Sequence, residues 1–153
     1  MTIKDKIVNY CQENGIEVKF KPVNSGFMLG MCRIDTGCKF IIDPNIDWNG
    51  TNDVSLILHE LGHLLSVPKE QRSLLTSRLK GVDKKYICEY AARLVSYNLC
   101  LKLDVPLEYC LGIFGASPKV PDKDHTLQTF YLCAYSWYHR DRWGQGKEAI
   151  VEC

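Results

Sequence analysis

His59-Glu60-Leu61-Gly62-His63 sets two imidazoles four residues apart, with a carboxylate directly after the first. On an α-helix such a pair shares one face, close enough for both rings to grip a single metal ion. The Glu then stands beside a metal-held water and can take its proton, which is the chemistry of a zinc-dependent hydrolase. Five-residue patterns also arise by chance, and the plain alternative is two His and a Glu decorating a solvated helix. The surroundings of the motif therefore decide its weight.

Those surroundings are helical. At about 100° per residue, Val54, Ile57, Leu58, Leu61, Leu64 and Leu65 fall within one arc of roughly 120°. His59 and His63 lie on the opposite side, with Glu60 on the flank. The apolar arc is expected on a core and the His pair in a cleft, with Asn52 and Asp53 as start signals. A catalytic zinc takes three protein ligands and leaves its fourth position to water, so one more ligand is needed. The extended motif with a third His six residues on is excluded, because Ser66 and Lys69 occupy its Gly and His positions.

Two routes to a third ligand remain. The other histidines are His125 and His139, both towards the C-terminus. The alternative is a carboxylate from a later helix, for which Glu89 is the best candidate. It follows His63 by 26 residues, enough chain to bring a second helix alongside. Ile87, Ala91, Leu94 and Val95 lie on the side of that helix away from Glu89, and small Ala91 and Ala92 permit close approach. The ordinary alternative for Glu89 is an ion pair with Arg93 one turn on.

The elements that must position these groups can be read in order. Thr2 with Asp5 resembles an N-cap, Ile3, Ile7, Tyr10 and Cys11 recur at helical spacing, and Gly15 stops the run, giving a helix over 3–14. Residues 16–22 alternate apolar and polar as a strand with one buried face. Asn24-Ser25-Gly26 is a turn. Strands over 27–34 and 38–42 follow, joined as a hairpin through Asp35-Thr36-Gly37. Pro44 ends the third strand and a polar loop over 45–50 leads to the His helix. Pro68 opens a segment expected to be helical to about Leu79, closed by Gly81. Asp83 reads as the cap of a long helix over about 84–102, and Pro106 opens a short turn to about Phe114. After Pro121 a last helix carries an apolar–aromatic stripe, including Phe130, Tyr131 and Trp137, assigned to core. The expectation is one α+β domain over 1–153: an N-terminal helix and small three-stranded sheet, then the His helix, then a mainly helical C-terminal part.

The bulk properties narrow the class. A chain of 153 residues can bury a proper core, and a formal net charge of +1 argues against a broad basic surface for nucleic acid. No apolar run reaches membrane-spanning length, and the Met1–Lys6 stretch lacks the apolar block of an export signal. None of the eight cysteines forms a C-x-x-C pair. They read as free thiols of a reducing cytoplasm, although Cys32 and Cys38 have the spacing to meet across a hairpin.

His59-Glu60-Leu61-Gly62-His63, preceded by the strand Lys39-Phe40-Ile41-Ile42-Asp43, resembles the ImmA/IrrE-type zinc metallopeptidases. The later Glu89-x-x-Ala92 resembles that family's second motif, whose Glu is a zinc ligand. The resemblance covers roughly residues 16–100. It implies a zincin-like fold, zinc held by His59, His63 and Glu89, and Glu60 as general base. It also implies a protein or peptide substrate inside the cell, with helix-turn-helix repressors of phages or mobile elements among those the family cuts. The chain departs from the family around the second motif, where Cys88, Tyr90 and Ala92-Arg93 replace an acidic, Asn-rich pattern. Its C-terminal part matches nothing in the family. A rival reading is a non-catalytic interaction protein that keeps the zinc fold as a scaffold and offers its Tyr/Trp-rich C-terminus to a host partner. Glu60 weighs against it, since a scaffold needs no general base. A protease acting on or as part of a toxin or defence system would share the chemistry and differ only in target.

Overall fold

Thr2 and Asp5 close a reciprocal capping box: the Asp5 amide donates to the Thr2 hydroxyl at 3.1 Å and the Thr2 amide to the Asp5 carboxylate at 3.0 Å. The hydroxyl contact, followed by the backbone one, holds the Asp5 carboxyl below its ordinary range. Helix α1 follows over Ile3–Glu13 and turns Ile7, Tyr10 and Cys11 inward. Gly15, at φ +72°, then lets the chain reverse into the sheet. The computed structural model describes residues 1–23, 31–76, 78–87, 89–106 and 108–111, and for Lys85, Glu89, Tyr90, Leu94, Cys110 and Leu111 it describes the backbone only.

The sheet has three short strands, β1 (Glu17–Phe20), β2 (Cys32–Asp35) and β3 (Lys39–Ile42), in the order β1-β3-β2. β1 runs parallel to β3 with Val18 opposite Phe40, and β2 runs antiparallel with Ile34 opposite Phe40. The β2–β3 hairpin is the one expected, turning through Gly37 and Cys38 at φ +84° and +57°. Cys32 pairs with Ile42 while Cys38 sits in that turn, so the two cysteines do not face each other. Cys11, Cys32, Cys38 and Cys100 are all free thiols. The predicted turn over 24–26 and the first part of the predicted strand over 27–34 lie outside the described residues. β1 does not bury one clean face: it is a sheet edge, Val18 is half-buried, and Phe20 is 41% exposed beneath the Lys4 ammonium. β3 is central and buries both faces, with Phe40 and Ile42 on one side and Ile41 on the other.

Helix α2 (Thr51–Ser66) is the core of the molecule. It begins slightly before Asn52 and Asp53, with Gly50 at the cap position and no side-chain cap; the Asp53 carboxylate instead accepts the Asp47 amide at 2.9 Å. All six residues of the predicted apolar arc are buried. Helix α3 (Glu89–Leu103) is its principal partner, and α4 (Glu108–Leu111) and β2 also pack on it. The Ser55 hydroxyl donates to the Tyr109 carbonyl and fastens α4 to its side.

The segment after Pro68 departs from expectation. It forms only a 3-10 helix over Lys69–Leu74, and the chain then turns through Leu79 and Gly81 at φ +52° and +93°. The cause is Arg72, a buried guanidinium that donates to the carbonyls of Val67 at 3.0 Å and Leu65 at 3.3 Å. It satisfies buried carbonyls at the C-terminal end of α2 and so fixes the chain beside that helix end. Asp83 starts only a 3-10 turn over Lys84–Tyr86, and α3 begins afresh at Glu89. The predicted last helix and its aromatic stripe lie outside the described residues. The architecture is mixed α+β, and no helix among the described residues is long and apolar enough to cross a membrane.

Candidate metal centre

The i, i+4 spacing on α2 does what the helix geometry requires. The Nε2 atoms of His59 and His63 lie 3.1 Å apart, with ring planes at 85° and centroids at 4.7 Å. Glu60 joins them, and one ligand atom from each of the three residues lies within 4.8 Å of the others. This group can hold a metal ion. Two metal–nitrogen bonds of about 2.0–2.1 Å at a tetrahedral angle place the nitrogens about 3.3–3.4 Å apart. At 3.1 Å the same bonds subtend about 98°, so the pair needs to open by only a few tenths of an ångström. The donor set, two imidazoles and an oxygen, suits zinc and its borderline neighbours better than calcium or magnesium.

The pair is more enclosed than a solvated helix face would be. His59 and His63 are 4% and 3% exposed, and Glu60 is half-buried. The expected cleft is therefore largely closed, and α3 crosses α2 beside it. An added Cβ at Gly62 would fall on the Ala92 carbonyl oxygen and lie 2.9 Å from the Ala92 Cα. Gly62 thus lets the two helix backbones touch one residue before His63. Ser96 reinforces the contact, with its hydroxyl shared between the carbonyls of Leu58 at 2.9 Å and Ala92 at 2.7 Å.

This crossing bears on Glu89. It is the first residue of α3, three before Ala92 and therefore on the same face of that helix as the contact with Gly62. Its backbone is thus on the helix that crosses the metal helix closely, as the small residues Ala91 and Ala92 suggested; its side chain lies outside the description. His125 and His139 lie outside the described residues.

Sequence reasoning did not place Cys32 or Ser96 at this site. Cys32 is buried on β2, and its thiol is pushed well above the ordinary cysteine range, first by burial and then by the negative charges of Glu60 and Asp53. A neutral thiol on the strand next to Glu60 is thus a feature of the site's sheet side. No local signal announces it, because only the packing of β2 on α2 brings the two together. Gly62 did carry a signal: a glycine inside a strongly helical pattern costs stability unless packing needs it. Comparison of the chain with protein-family models, with curated proteins and with solved structures finds no match.

Proposed function

We propose that the chain is a zinc-dependent metallopeptidase, with His59 and His63 as ligands, Glu89 as the third, and Glu60 as general base. The observation that carries this reading is the convergence of both Nε2 atoms and the Glu60 carboxylate at one point of α2. When bound, zinc supplies a Lewis acid that polarises a peptide carbonyl and acidifies water. Glu60 takes the proton of the attacking water and passes it to the leaving amine, a role suited to the one member of the group that is half exposed. His59 and His63 stay fixed by burial on a helix packed from several sides, so little reorganisation is needed to bind the ion. β2 is an edge strand that packs on α2, and an extended peptide could align by adding to it. The motif's resemblance extends the reading to a zincin-like fold and to an intracellular protein substrate in the cytoplasm, such as a helix-turn-helix repressor of a phage or mobile element.

Metal analysis of the purified chain together with Glu60→Gln tests the reading. About one zinc per chain in both proteins is expected. Cleavage products seen by N-terminal profiling of a lysate treated with wild type should vanish with the variant, a loss of about 10²-fold or more. Products that persist with Glu60→Gln would remove Glu60 as the base. A second reading draws on the near-complete burial of the two imidazoles. Their 3.1 Å contact is also a good hydrogen bond, as in an interaction protein that uses the pair only as a buried polar staple. Absence of zinc after loading, with the fold intact, selects it.

A further inference from the structure

We draw no further inference here: the strongest candidate, the outer edge of β1, where Val18 and Phe20 turn their backbone groups away from β3 and Phe20 is 41% exposed, carries nothing because nothing in the structure shows what covers it, its Lys19 and Glu17 already pairing with each other at 3.2 Å.

Discussion

Gly62→Ala separates a local rule from a tertiary one. Helix propensity alone makes the change favourable by about 1 kcal/mol at an interior helical position. The structure reverses the sign. The new Cβ would stand 2.9 Å from the Ala92 Cα and directly on its carbonyl oxygen. Carbon atoms pack best at about 3.5–4.0 Å, so α2 and α3 must part by roughly 0.6–1.1 Å. A gap of that size forfeits about a quarter to a half of the dispersion energy along the interface. Overpacking of this kind costs typically about 1–3 kcal/mol, and with no side chain to move aside the upper part of that range applies. The net expectation is a loss of about 2 kcal/mol, or roughly 4–8 °C in Tm for a chain of this length. Urea unfolding of the metal-free chain measures it. The same displacement would draw α3 away from α2, and with it the proposed third ligand Glu89, so zinc affinity should fall as well. A variant as stable as wild type would refute the close crossing. A destabilised variant with unchanged zinc affinity would show that the third ligand does not ride on α3.

Two further perturbations follow from the same geometry. Arg72→Met keeps the length of the side chain but leaves the carbonyls of Leu65 and Val67 without their buried donor, and should cost about 1–3 kcal/mol in denaturant unfolding. The Cys11 thiol is pushed up to about 12, from an ordinary 9.0, by burial and then by Cys38. Its neutral form is favoured by the fold, so its contribution is fully present below pH 9 and is lost as pH rises towards 12. Stability should fall by about 1.4 kcal/mol per pH unit for each such thiol in that window, and Cys11→Ala should flatten the slope without removing the part due to Cys32.

What the sequence disclosed was whatever local chemistry decides. The capping box of Thr2 and Asp5, the apolar arc of α2 and the hairpin around Gly37 are set by residues within a few positions of one another, and each is present. The spacing of His59 and His63 fixed their convergence in the same way, since a helix has one geometry. The errors lie where a distant group overrides a local pattern. The segment after Pro68 has helical periodicity, yet Arg72 turns inward to the end of α2 and stops it after six residues. The alternation in β1 promised a buried face, but the strand is at the sheet edge and Phe20 is left beneath Lys4. The His face of α2 was expected in a cleft because nothing in 54–65 reveals that the fold buries it. The closeness of Cys32 to Glu60 was invisible for the same reason: 28 residues and a hairpin separate them in the chain.

Burial of the His pair would make metal binding and folding one equilibrium. His59 and His63 sit on the helix that α3, α4 and β2 pack upon, and the proposed third ligand begins the helix crossing it at Gly62. An ion held by all three would pin α2 to α3 at the point where Ser96 already joins them. Because neither helix would present these ligands together in the unfolded chain, zinc should stabilise the fold by about 4 kcal/mol when free zinc exceeds its Kd a thousandfold. The measurement is unfolding of wild type, His59→Ala and Glu89→Ala across a zinc series. Wild type should climb steadily with zinc and His59→Ala should stay flat. Glu89→Ala should climb only at much higher zinc, since two imidazoles alone bind weakly. If Glu89→Ala tracks wild type, the ion is completed by a residue other than Glu89, and α3 only crosses α2 beside this centre. If wild type itself is flat, the imidazoles meet for each other and not for a metal, and the buried hydrogen bond between them is their whole function.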